Sequence, residues 1–168
     1  MIRIDAFASR EIQAIILGLN RADATIRKQV RQGLKPLAQT EWQKSVREHS
    51  ETRLDHRVLG DTARAFPSDR NVRLSAAGVG RKLRGGIKPS EIYPGVEFGA
   101  EDRQTTYDAT SVKGKRFSVT RNTTAQLPRR IGRGRVFYPA ANQMIPRIAS
   151  LWAQTVVRTF AEALERKG

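Results

Sequence analysis

Two apolar stripes at helical spacing, one near each end of the chain, dictate most of the architecture. From Asp23 to about His49, the residues Ile26, Val30, Leu34, Ala38, Trp42 and Val46 recur every four positions, joined by Leu37. A long helix with one face to bury has this pattern. Arg27, Lys28, Arg31, Lys35 and Lys44 occupy its other face. Pro36 lies inside the stripe; it has no amide hydrogen and crowds the carbonyl four residues back, which predicts one element kinked near Gly33 to Pro36. The second stripe is formed by Ile145, Ile148, Ala149, Trp152, Val156, Phe160, Ala163 and Leu164, with Pro146 near the helix start. Arg147, Gln154, Arg158 and Glu162 lie off that stripe.

Shorter elements are expected between and before these helices. Met1 to Asp5 reads as a strand with Ile2 and Ile4 on one face, and Ser9 can cap a helix bearing Ile12, Ile15, Ile16 and Leu19. Gly18 and Asn20 interrupt that helix. Ser50 to Arg70 is polar and rich in turn residues, a connector with one short helical stretch around Thr62 to Ala65. Val72, Leu74 and Ala76 alternate with polar residues as a half-buried strand does, and Gly78 to Gly86 is a loop. Further strands are predicted at Ile92 to Phe98, Phe117 to Thr120 and Arg135 to Tyr138. The sum is an α+β fold in one domain, residues 1–168: a small, mostly antiparallel sheet packed by a long kinked N-terminal helix and a long C-terminal helix. Trp42, Phe98, Trp152 and Phe160 are its expected aromatic core. Extended basic loops are predicted at about 77–91 and 103–134.

Charge is concentrated in two stretches that hold no Asp or Glu. Lys113 to Arg135 contains Lys113, Lys115, Arg116, Arg121, Arg129, Arg130, Arg133 and Arg135; Arg70 to Lys88 contains Arg70, Arg73, Arg81, Lys82, Arg84 and Lys88. Unpaired cations do not enter a core, so both stretches must face water or an anionic partner. The whole chain of 168 residues carries a formal charge of +15. Nucleic acid is the leading counter-charge, with an acidic protein partner or a merely solubilising surface as alternatives. Aromatic residues are scarce in both stretches, Phe117 being the main one, which argues against base stacking on single strands. No helix-turn-helix, zinc-finger or RNA-recognition signature is present, so contact should be to backbone phosphate and indifferent to sequence.

Chemistry has little to work with. There is no cysteine, which removes disulfides, thiolate catalysis and cysteine-zinc sites and suits a reducing cytoplasm or a particle assembled there. His49 and His56 are the only histidines. They stand near Glu48, Glu51 and Asp55 without a metal-ligand spacing and read as surface residues at a fraying helix end. Glu97, Glu101 and Asp102 are better matched to arginines than to a cation. Gly78-Val79-Gly80 and Gly132-Arg133-Gly134 lack the glycine spacing of a phosphate loop. No enzyme activity, cofactor or metal is expected. The start of the chain lacks a signal-peptide pattern and no apolar run reaches the roughly 20 residues of a membrane span, so a soluble protein with no membrane partner is expected.

Taken in order, a long N-terminal helix, Leu59-Gly60-Asp61-Thr62, Val96-Glu97-Phe98-Gly99-Ala100, and Phe137-Tyr138-Pro139-Ala140-Ala141 before Ile145-Pro146-Arg147 and a terminal helix make a sequence that resembles the tail-component family of long-tailed bacteriophages. Leu59-Gly60 stands where the family has a Thr-Gly-x-Leu step, Glu97-Phe98-Gly99-Ala100 where it has Glu-Phe-Gly-Thr, and Tyr138-Pro139-Ala140-Ala141 where it has Pro-Ala-x-Pro-Phe. In the last box the second proline and phenylalanine are replaced by Gln143-Met144-Ile145-Pro146.

The resemblance implies a structural virion protein of the neck, tail-completion or tail-terminator region. It would form a homo-oligomeric ring, a hexamer or dodecamer, between the capsid connector or stopper and the tail tube, around the channel for double-stranded phage DNA. It would assemble in the host cytoplasm and end in the virion, with no reaction to catalyse. Arg81, Lys82, Arg84, Lys113, Lys115, Arg116, Arg129, Arg130, Arg133 and Arg135 then become candidates for channel-facing or inter-subunit contacts. Gly60, Glu97, Phe98, Gly99, Pro139 and Ala140 are the motif residues; Gly99 is expected at positive φ or at a close backbone approach. The rival from the charge alone is a free-standing, sequence-independent nucleic-acid-binding protein. A small ribonuclease using His49 or His56 is the third alternative.

Overall fold

The computed structural model describes residues 1–5, 17–68, 71–122 and 127–165. The expected cap at Ser9 and the apolar positions Ile12, Ile15 and Ile16 lie outside the described residues, as does Arg70; Leu19 is buried in a helical stretch over 17–21. The fold is α+β. Helix α1 (Ala24–Glu48) is followed by a short helix α2 (Arg53–Asp55) that continues as a π-helical turn over His56–Gly60. Strands β1 (Ile2–Asp5), β2 (Arg64–Pro67) and β3 (Val72–Ala76) form an antiparallel sheet in the order β1-β3-β2. Helix α3 (Pro89–Phe98), a separate antiparallel hairpin of β4 (Gln104–Thr110) and β5 (Arg116–Asn122), and helix α4 (Phe137–Glu165) complete the chain.

The first stripe is the buried face of α1: Val30, Leu34, Ala38, Trp42 and Val46 are all inaccessible to water. The helix runs through Gly33 and Pro36 without interruption. The carbonyl that Pro36 leaves unpaired belongs to Gln32, which is exposed, so water can take the lost hydrogen bond. Two side chains fix α1 to the sheet. Trp42 Nε1 donates to the Ser75 carbonyl at 3.1 Å, and Gln39 donates to the Ala63 carbonyl while accepting the Ala65 amide. The Gln39 pair covers the outer edge of β2, which would otherwise be open to pairing. Leu74 sits opposite Ile4 of β1 and Ala65 of β2, at the middle of the buried face.

Helix α4 packs along α1, burying Ala140, Ala141, Met144, Ile148, Trp152 and Val156. Trp42 and Phe137 meet edge to face, with ring centroids 5.2 Å apart. Of the expected aromatic core, Trp42 and Trp152 are buried and Phe98 and Phe160 half-buried.

Four expectations are corrected. Ile92 to Phe98 is helical, not extended: Pro89 opens α3 at its first turn, and Pro89, Val96 and Glu97 are buried at helical spacing. Arg135 to Tyr138 is no strand but the entry to α4, which starts nine residues before Pro146. The short helix of the connector precedes the predicted Thr62 to Ala65, where the chain turns into β2. The span 103–134 is not one extended loop, since 14 of its residues form the β4–β5 hairpin, and the predicted loop 77–91 ends where α3 begins.

Candidate interaction surface

The motif residues other than Gly60 lie at one joint, between the end of α3 and the start of α4. Glu97, in the last turn of α3, has its side chain fully buried, and its carboxylate accepts the amides of Phe137 at 2.8 Å, Tyr138 at 3.1 Å and Val136 at 3.3 Å. These are the amides at the N-terminus of α4, where no intrahelical acceptor exists. Pro139 has no amide to satisfy, and Ala140 donates to the Val136 carbonyl, so the first turn of α4 is completely paired. A negative side chain at this point also faces the positive end of the helix dipole. Burial pushes the Glu97 carboxyl above its ordinary range, and the amides of Phe137, Tyr138 and Val136 pull it part of the way back.

Glycines make room for the joint. Gly99 has φ +73°, as expected, though it closes a helix; a Cβ there would stand 2.4 Å from the Arg129 carbonyl oxygen. That close approach lets Ala100 donate to the Pro128 carbonyl, Arg130 to Ala100 and Ile131 to Phe98, a ladder that ties the segment before α4 to the end of α3. Gly134, at φ +75°, would place a Cβ 2.3 Å from Glu97 Oε1. Phe98 packs against Tyr138 with centroids 5.7 Å apart. Gly60 lies apart from this joint, in the π-helical turn against Arg47, where Thr62 Oγ1 donates to the Val58 carbonyl and accepts the Ala77 amide.

The basic residues divide by environment. Arg81, Lys82 and Arg84 are exposed on the loop between β3 and α3, which Arg57 holds through the Arg84 carbonyl at 2.6 Å. Lys113, Lys115 and Arg116 are exposed at the hairpin tip, where Gly114 turns at φ +78° and the Lys115 amide donates to Ser111 Oγ. Arg129, Arg130 and Arg133 are exposed on the segment returning to α4, and Arg130 pairs with Glu101. Eight of these nine cations have no ion pair among the described residues. The two basic segments are rooted at opposite ends of α3, which as a ten-residue helix separates them by about 15 Å.

Arg135 is different. Its guanidinium is only 16% exposed and points to Glu51 at 3.2 Å and to the buried Asp55 at 3.9 Å. It joins α2 to the entry of α4 and does not share the solvent-facing position of the others.

His49 Nδ1 lies 2.8 Å from the Ser45 carbonyl and His56 lies in the π-helical turn. Among the described residues no group of His, Asp and Glu is placed to hold a metal ion, and no helix is long and apolar enough to cross a membrane.

Strand β4 and the chemistry of the hairpin were not read from the sequence. The signal for them is Thr105-Thr106-Tyr107 and Phe117-Ser118-Val119-Thr120 on either side of a Ser111 to Gly114 turn. The chain matches no protein-family model, no curated protein and no solved structure.

Proposed function

We propose that this chain is a non-enzymatic structural subunit of a long-tailed phage particle, assembling as a ring at the head-to-tail junction around the DNA channel. The observation that carries this is the joint itself. Glu97 and Phe98 from one box bind Phe137 and Tyr138 at the start of α4 from another, so two of the boxes that resemble the tail-component family act together as one structural unit. Exposed cations on the loop before α3 and on the hairpin after it are suited to a polyphosphate thread or to acidic neighbours. Co-expression with the connector and tail-tube proteins of its parent particle, followed by electron microscopy, is expected to give rings of six or twelve subunits. A strict monomer beside those partners would overturn the proposal.

A free-standing nucleic-acid-binding protein is favoured by one observation, the eight exposed cations that have no ion pair among the described residues. Fluorescence anisotropy with random-sequence duplex DNA separates the two. Tight binding by the isolated chain, falling steeply with salt, supports the free-standing protein; feeble binding until rings form supports the ring subunit.

A further inference from the structure

We propose that the β4–β5 hairpin of one subunit docks by its apolar face into the groove between α1 and α4 of a second copy of this chain, joining subunits head to tail. This rests on the ring assignment above. Pairing sets Tyr107 opposite Val119 and Ala109 opposite Phe117, which puts these four on one face; Thr106 opposite Thr120 and Asp108 opposite Ser118 make the other face polar. Tyr107 is 42% exposed and Phe117 48%, and Val112 at the tip is fully exposed. A two-stranded hairpin is marginal in water by itself, so an apolar face left open calls for cover.

The same chain carries a surface of matching character. An open groove with room for about 620 Å³ runs along the seam of the two long helices, lined by Pro36, Leu37, Pro146 and Leu151 together with polar residues that include Glu41 and Arg147, and no hairpin residue of its own chain lines it. The charges offer one pairing. Arg121 lies on the apolar face of the hairpin, 5.5 Å from the Tyr107 ring centre, while Glu41 lines the groove and has no ion pair among the described residues. Arg147 lines the groove as well but makes no ion pair with Glu41, so this carboxylate can take a cation arriving from a neighbour.

Because hairpin and groove are different surfaces, the contact is heterologous; it propagates from copy to copy and closes only as a ring. Seven-residue strands span about 23 Å, so the footprint of the hairpin is on the order of 250 Å². That is well below the roughly 800 Å² per partner of a stable pairwise interface. One such contact is weak, and closure of the ring makes the set cooperative.

The absence of cysteine makes disulfide trapping a clean test. Phe117→Cys and Leu37→Cys are at exposed positions where folding should be unaffected. On oxidation, an equal mixture of the two single variants should give a dimer containing one of each, and the double variant should give a ladder of multimers. Adding Glu41→Arg should reduce the yield several-fold, and Arg121→Glu in the same chain should restore it. Links only between identical single variants, links within one chain of the double variant, or no links at all would each overturn the docking. Sedimentation of the wild-type chain with its connector and tube partners is read in parallel. Rings that form there while the trap stays empty overturn this contact and leave the ring assignment standing; a ladder without closed rings supports the contact and counts against the ring.

Discussion

The carboxylate of Glu97 accepts the backbone amide of Phe137 at 2.8 Å, from a position 40 residues earlier in the chain. It takes the place of the local Ser, Thr, Asp or Asn that caps most helices. Removing it by Glu97→Ala leaves three amides without their acceptor in a buried site and opens a cavity, and the expected loss is about 3 kcal/mol of stability. Glu97→Gln keeps the shape and one carbonyl oxygen, so about 1–2 kcal/mol should be lost. Urea unfolding of the three proteins measures both. A loss below 0.5 kcal/mol for the alanine variant, on the order of an ordinary surface change, would show that the cap contributes nothing.

The buried position of this carboxyl gives a pH dependence with a defined sign. Its folded pKa is raised, so the folded state holds the proton more tightly than the unfolded chain. The stabilisation that this proton binding provides is complete below the ordinary carboxyl range and is lost as pH rises through the folded pKa. The stability of the wild type relative to Glu97→Gln should therefore be greatest in acid and decline toward neutrality. Unfolding both proteins over a pH series isolates the group, and a difference that grows with pH would contradict the assigned environment.

Gly99 and Gly114 offer a matched comparison of strain and clash. Both adopt positive φ, at +73° and +78°, but a Cβ on Gly114 meets nothing within 4 Å, whereas one on Gly99 meets backbone atoms of Pro128 and Arg129 at 2.4–2.5 Å. Gly114→Ala should cost about 1 kcal/mol, the conformational term alone. Gly99→Ala adds a contact that only a backbone shift relieves, and should cost at least about 2 kcal/mol more. Thermal unfolding of the two variants should separate them clearly; equal losses would mean that the Ala100–Arg129 ladder yields freely.

What the sequence disclosed follows from where each signal is stored. The stripes of α1 and α4 were legible because a helix with one buried face writes its period into its own residues. The start of α4 was not, because its cap is Glu97 on another element, and Arg135, Val136 and Phe137 offer no local start signal. In α3, Ile92, Val96 and Phe98 fit alternation as well as they fit a helix, and only the burial of Val96 beside Glu97 decides between them. Strand β4 escaped notice because its core partners are missing: six of its seven residues are exposed, so burial imposes no pattern on it. Cations on exposed segments were legible from charge alone, since an unpaired cation has nowhere else to go.

Arg135 is the exception to that rule, and the exception is testable. Its sequence neighbours Arg129, Arg130 and Arg133 share its charge, but its partners Glu51 and Asp55 come from α2 and the turn before it, so nothing near it in the chain reveals the pairing. Asp55 is 2% exposed and already bound by the Thr52 amide; without Arg135 its negative charge remains buried with no cation beside it. Arg135→Ala should lose roughly 2 kcal/mol of stability, while Lys113→Ala at the hairpin tip should stay within about 0.5 kcal/mol of the wild type. On the proposed function, duplex DNA binding by assembled rings should divide the pair the other way: Lys113→Ala lowers the salt slope by close to one phosphate contact, and Arg135→Ala, once folded, leaves the slope unchanged. Should Arg135→Ala flatten the slope while stability stays intact, the guanidinium would belong to the proposed nucleic-acid surface and not to the joint between α2 and α4.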